Sequence, residues 1–297
     1  GEMKKYPIEK NTVQETLVIP LYGRKMCSEL FPALYHDETA IRLMDAVDYD
    51  FSALAAKTRG VLYRFGFLEV AMRQNDLAAE VREYLKEHPR ATVVNLGCGL
   101  DDTGRASDNG QCRICNLDFP DVIAMRDVLL PAGEREKNIG CDLNDTTWFH
   151  KIDFDPANGV VFFAAGVFYY FLTDAVRSLV CAMADAFPGG KLVFDAANRK
   201  ASRLLTKTWL KTAKIQNVGA YFAVSDAKTE LSPWHSAMRV SSRGYMLGYT
   251  DLRDPSVSGF FRFLARIGDN GMKMQIVRLD FQAADCRSDG RSAFGLQ

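Results

Sequence analysis

From Ala91 onward the chain alternates short apolar runs with helical stretches, and that alternation limits the possible folds more than any other feature. Ala91–Leu96, Gln111–Leu117, Asn138–Leu143, Val160–Ala165 and Lys191–Ala196 are expected as strands. Asp121–Leu130 and Thr173–Phe187 lie between them as expected helices, and Pro188-Gly189-Gly190 marks a sharp turn before the fifth strand. Strands joined through helices need crossover connections, which give a mostly parallel sheet covered by helices on both faces. The fold class is therefore α/β.

The flanking segments read differently. Residues 1–90 are predicted to be mainly helical. Val61, Phe65, Leu68 and Met72 recur at helical spacing, and Leu77, Val81 and Leu85 do so again between Asn75 and His88. Asn75 and Asp76 are available as caps and Pro89 as a stop, so two consecutive amphipathic helices are expected. Residues 198–245 fit the alternation poorly and carry Trp209, Tyr221, Phe222, Trp234 and His235. They are expected to form an insertion over the sheet's C-terminal edge, where open α/β folds bind ligands. Phe260, Phe263, Leu264 and Ile267 share a helical face, Gly268–Gly271 form a turn, and Lys273–Phe281 form a last strand. The expected organisation is one domain over 1–297: a helical part (1–90), a cofactor-binding core (91–197), the insertion or lid (198–245) and the rest of the core (246–297).

Composition excludes some functions. The 37 lysines and arginines equal the 37 aspartates and glutamates, so no bulk attraction to nucleic acid or an anionic membrane is built in. A small-molecule or discrete protein substrate is the expected partner. No apolar run reaches membrane-span length and the N-terminal residues lack a signal-peptide pattern. Gly1 is no translation start, so the first residues are expected to be left from a tag. Seven cysteines, mostly within apolar stretches, are expected as reduced thiols in a cytoplasmic protein. Cys112 and Cys115 form a C-x-x-C without a second pair, in a segment that reads as strand, so no metal site is expected.

The sharpest motif is Val93–Asp101, a strand running into Gly97-Cys98-Gly99. Glycines there permit a tight turn and let a ligand lie against bare backbone. Asp118 ends the second strand about twenty residues further on, where a carboxylate can accept hydrogen bonds from both hydroxyls of a ribose. Dinucleotide sites need a third glycine to seat a pyrophosphate. Asp102 occupies that position, preceded by Asp101. Two carboxylates would repel a pyrophosphate but suit the amine and sulfonium of S-adenosylmethionine, which is the expected cofactor.

With these residues in view, the chain resembles the leucine carboxyl methyltransferase superfamily, and within it the bacterial branch of polyketide-biosynthesis O-methyltransferases. The resemblance runs through Leu17–Arg24, Tyr49-Asp50-Phe51, Arg59, Val93–Asp101, Asn116–Pro120, Glu134-Arg135, Cys141-Asp142-Leu143, Ala165–Phe171, Phe187–Asp195 and Gly271–Phe281. It implies a Rossmann-like class I methyltransferase fold. It further implies that Arg59 binds the methionine carboxylate of the cofactor, Gly97 and Gly99 line its amino-acid portion, and Asp118 takes its ribose. Asp142 and Leu143 would flank adenine, with Cys98, Asp101, Phe119 and Ala165 completing the contacts. Ala165 departs from the family's E-G-V-x-x-Y pattern, which has a glutamate there. That leaves open a lost cofactor or substrate contact, and with it a catalytically inactive cofactor-binding protein.

A carboxylate acceptor needs a positive clamp and no base, because it is already ionised at neutral pH. Arg24, Lys25 and Arg199 are candidate clamps. A hydroxyl acceptor needs a base, and His235 is the candidate. Tyr169, Trp209 and Trp234 are candidate walls of the acceptor pocket, and a tyrosine face can stabilise a sulfonium. No catalytic residue is assigned. The expected activity is methyl transfer to a small-molecule carboxylate or hydroxyl. Methylation of a protein C-terminus is an alternative implied by the eukaryotic relatives, and a nicotinamide-dependent oxidoreductase is disfavoured by Asp101-Asp102.

Overall fold

The computed structural model describes residues 4–203, 221–245, 252 and 254–283. The N-terminal part comprises β1 (Tyr6–Pro7), α1 (Val13–Leu30), α2 (Glu38–Ala46), β2 (Val47–Asp48), α3 (Ser52–Lys57) and α4 (Val61–Glu87). The core follows with β3 (Thr92–Leu96), α5 (Thr103–Ala106), β4 (Arg113–Asp118), α6 (Pro120–Leu129), β5 (Glu136–Gly140), β6 (Val160–Ala164), α7 (Thr173–Ala186) and β7 (Lys191–Ala196). The last described elements are α8 (Ala227–Leu231), β8 (Met238–Gly244), α9 (Gly259–Asn270) and β9 (Gln275–Phe281).

Seven strands form one sheet in the order β5-β4-β3-β6-β7-β9-β8, parallel except for the pairings of β9 with β7 and β8. β3 and β6 are apolar in nearly every position because both faces are covered. One face packs on α7 through Val176, Leu179, Val180 and Met183, and the other on α4 through Phe65, Leu68 and Met72. Each large apolar side chain fully removed from water there contributes about 1.5–3 kcal/mol. Leu96 stands level with Leu117 of β4 and Ala164 of β6. Three chain segments therefore leave the sheet side by side at the point where strand order reverses, which is where such sheets bind ligands.

Three local expectations are corrected. The two helices predicted between Val61 and His88 are one, α4, because Asn75 and Asp76 cap nothing. The Asn75 side chain donates to the Leu34 carbonyl, and Asp76, wholly buried, takes Arg243 Nη1 at 2.6 Å. Residues 238–244, assigned to the insertion, are the edge strand β8 of the core sheet. The expected Gly268–Gly271 turn comes later, since α9 runs to Asn270. That helix buries Phe261, Ala265 and Gly268, while Phe260, Phe263 and Ile267 face outward.

β8 and β9 are fastened to α4 by charge. Arg243 reaches Asp76 and Glu80, Arg278 reaches Glu80 at 2.7 Å, and Lys191 of β7 lies 3.7 Å from the same carboxylate. These groups hold Glu80 below the usual carboxylate range although burial opposes its charge. α4 is thus fixed in rotation over β7 and β9, which determines where its other side chains point.

Candidate cofactor and acceptor site

The turn after β3 is built around its backbone. Gly97 and Gly99 adopt φ of +68° and +48°, in the left-handed region that favours glycine. A Cβ on Gly97 would also come within 2.7 Å of the Val167 side chain. The carbonyls of the loop are taken by buried arginines. Arg126 Nη1 donates to the Gly99 and Asp101 oxygens at 3.0 and 2.7 Å, and Arg24 Nη2 donates to that of Leu100 at 3.2 Å. Cys98 is buried, and its amide donates to Leu117 of β4.

Asp118, at the tip of β4, turns toward this loop. Its carboxylate accepts from the Gly99 and Phe119 amides, each at 2.8 Å. Burial pushes the carboxyl up, and those two amides pull it back toward ionisation. The neighbouring strand brings Cys141 alongside, its amide donating to the Asp118 carbonyl at 2.8 Å. Asp142 follows, exposed, with its side chain accepting from the Asn144 amide, and Leu143 packs inward beneath Trp148. Phe119 stands 53% exposed beside the carboxylate. Asp118, Phe119 and Asp142 therefore share one rim.

Asp101 and Asp102 are committed elsewhere. The Asp101 carboxylate accepts from the Thr103 amide and hydroxyl, and that of Asp102 accepts from the Thr39 hydroxyl. Asp101 thereby holds the start of α5 through one carboxylate oxygen, and Asp102 ties that loop to the first turn of α2.

Across the turn, the segment after β6 faces α4. Ala165, half-buried, packs against the apolar cluster containing Leu68, Met72, Tyr169 and Tyr245. Gly166, at φ +67°, lets the Arg73 guanidinium approach so closely that a Cβ there would sit 2.8 Å from Nη1. Arg73 also lies 3.7 Å from Asp195 at the end of β7, and Asp195 accepts from the Gly166 amide at 2.7 Å. Burial works against the arginine's charge, but Asp195, Tyr245, Tyr169 and Tyr170 outweigh it and keep the guanidinium firmly protonated. Among the described residues its buried Nε has no hydrogen-bond partner, and the Tyr169 hydroxyl has at most Asp195 beside it. Buried polar atoms of that kind call for a partner. Arg73 was not singled out from the sequence. One charged residue on a helix face looks like solvent-facing polarity, and only the fixed rotation of α4 turns it inward.

The other expected site residues are placed as follows. Arg59 is exposed between α3 and α4, with no hydrogen bond or ion pair among the described residues, so the guanidinium beside Gly166 is that of Arg73. Arg24 is 5% exposed and bound to Asp37 at 3.2 Å, which makes it a brace rather than an acceptor clamp. Lys25 pairs with Glu29 along α1, and Arg199 is exposed just after β7. Trp209 lies outside the described residues. Trp234 packs on Phe222 at 6.0 Å, in the core beneath α7. His235 is not a base for this site. Its Nδ1 accepts from the Ala237 amide, so Nε2 carries the proton and donates to Asp185 at 2.7 Å. Asp185 ends α7 at the entry to β7, the opposite edge of the sheet from Gly97.

No group of three or more metal-ligating side chains occurs among the described residues. None of their helices is long and apolar enough to cross a membrane.

Comparison with known proteins agrees with this architecture. Tetracenomycin polyketide synthesis O-methyltransferase TcmP of Streptomyces glaucescens is 28% identical over 185 residues, covering 62% of this chain and 66% of TcmP. The match thus spans just under two thirds of that relative's length. A protein from Thermobifida fusca YX, provisionally named a methyltransferase, superposes with a TM-score of 0.54 at 17% identity, covering 88% of this chain and 94% of its own. A DUF574-family protein from Streptomyces avermitilis MA-4680 gives 0.50 at 10% identity, with 87% and 89% covered. At such identities the two structures speak for the fold alone. The model of the leucine carboxyl methyltransferase family matches residues 22–184, more than half of the chain, and the protein belongs to that family.

Proposed function

We propose that the protein is an S-adenosylmethionine-dependent O-methyltransferase acting on a carboxylate or hydroxyl of a small-molecule acceptor. The observation that carries this reading is the pairing of Asp118, held by the Gly99 and Phe119 amides, with Arg73 beside Gly166 across the same turn. A nucleoside sugar needs the first and an amino-acid carboxylate the second. The residues present fit the donor in a further respect: Arg73 Nε is a buried donor awaiting an acceptor.

Bound S-adenosylmethionine supplies a methyl group already activated on a sulfonium. The chain's own work is to bind, align and exclude water. Asp118 presents two lone-pair positions to ribose hydroxyls, Phe119 offers a flat apolar face at the rim, and Asp142 offers an acceptor beside it. Arg73 receives a carboxylate. Tyr169, buried, and Tyr170, exposed, follow Gly166 in the chain and are suited to orient an acceptor oxygen. Similarity to TcmP supports the O-methyl class.

Calorimetric titration with S-adenosylmethionine and S-adenosylhomocysteine tests the donor reading, and absence of binding at millimolar ligand rejects it. Ala165 motivates a second reading, a cofactor-binding protein without turnover. It predicts the same titration but no S-adenosylhomocysteine release with any member of a mixed carboxylate and phenol panel.

A further inference from the structure

We infer that Glu69 of α4 binds the donor's ammonium group, replacing from a helix the carboxylate that the chain lacks at Ala165. The inference rests on the donor reading above and concerns one residue that this reading leaves unused.

Glu69 lies one helical turn before Arg73, so the two side chains leave α4 on the same face. Arg73 reaches Gly166, the residue after Ala165. Tyr245, buried at the end of β8, lies in the fields of Glu69, Arg73 and Asp195 together. Ala165 packs toward that same cluster.

Asp195 is already engaged by the Gly166 amide and Arg73, whereas the Glu69 carboxylate makes no hydrogen bond or ion pair among the described residues. Burial pushes its carboxyl up to about 7 despite the pull of Arg73, as expected for a carboxylate short of cationic partners. The charged and titratable groups around it are Arg73 on its own helix and Tyr245 after β8, and Asp195 and Asp269 act on that same tyrosine.

Charge complementarity completes the argument. The cluster holds one cation and two carboxylates, and the donor carries two cations and one carboxylate. With the donor's carboxylate on Arg73, its ammonium falls to an acidic group on the same helix face, and Glu69 is the one with free capacity. A charge-assisted hydrogen bond of this kind is roughly twice as strong as a neutral one.

The test uses S-adenosylhomocysteine and the same compound lacking its α-amino group, titrated calorimetrically into the full chain. Glu69→Gln is expected to weaken the amine-bearing ligand about 10- to 100-fold and the deaminated ligand less than about threefold. Ala165→Glu in the Glu69→Gln background is expected to restore most of the loss. Lowering the pH from 8 to 6 protonates Glu69, so wild-type affinity for the amine-bearing ligand falls about tenfold while the deaminated ligand and the variant stay flat. Glu69→Gln should be at least as heat-stable as wild type above pH 7, because it removes an under-partnered carboxylate. Unchanged affinity, equal loss for both ligands, or a pH response that survives the substitution overturns the inference. A wild-type chain that binds neither ligand overturns the donor reading instead.

Discussion

The two halves of the site are made of different materials. The half around Gly97, Gly99 and Asp118 is backbone: positive-φ glycines, amides donating to one carboxylate, and carbonyls covered by Arg126 and Arg24. The half around Arg73, Glu69, Asp195 and Tyr245 is side-chain charge, drawn from α4, β7 and the end of β8. A backbone site is specified by a few adjacent residues and tolerates little change at them. A charge site is specified by the rotation of a helix against a sheet, so it can be moved or repaired from a distance.

The strongest test of that contrast is Glu80→Ala. Removing the carboxylate that joins Arg243 and Arg278 takes a shared, buried partner from both cations and leaves Asp76 to hold Arg243, and a loss on the order of 3 kcal/mol is expected in urea denaturation. If the contrast holds, the surviving folded protein loses affinity for S-adenosylhomocysteine more than for adenosine, which needs only the backbone half. Equal losses would show that the halves are not separable.

Arg73→Ala comes next. Losing a charged, partly buried donor should weaken S-adenosylhomocysteine about 30- to 100-fold in calorimetry, while Arg59→Ala changes it less than about threefold. The reverse ranking would return the carboxylate role to Arg59. Asp118→Asn should cost about tenfold for both S-adenosylhomocysteine and adenosine, since one oxygen and the charge are lost but the cradle remains. An effect on only one of the two ligands would break the assignment of Asp118 to the sugar. The smallest effect belongs to His235→Ala. Donor binding and turnover should be unchanged, with a stability loss below about 1 kcal/mol from the exposed Asp185 contact.

The same contrast explains what was legible beforehand. Gly97, Gly99 and Asp118 were readable because strand, turn and acidic tip are contiguous signals with fixed spacing. The parallel core was readable because strands covered on both faces are nearly all apolar. β8 was not: as an edge strand it is half exposed, and its Ser241-Ser242-Arg243 run resembles a loop. α4 looked like two helices because Asn75 and Asp76 imitate a cap, their true partners, Leu34 and Arg243, being remote in sequence. Asp101 and Asp102 read from the sequence only as a pair of charges; the Thr103 and Thr39 hydroxyls that donate to them could not be read from it. Arg73 and Glu69 left no trace that periodicity could find.

Arg126 has a kinetic consequence. Because its buried guanidinium grips the Gly99 and Asp101 oxygens from below, the loop holds its shape without any visitor. Hydrogen–deuterium exchange at the Gly99 amide should therefore be slow in the empty protein and scarcely slower once it is filled. On the proposed function, the donor would then dock onto a finished surface, and stopped-flow binding is expected to show one phase, linear in ligand, with no lag from rearrangement.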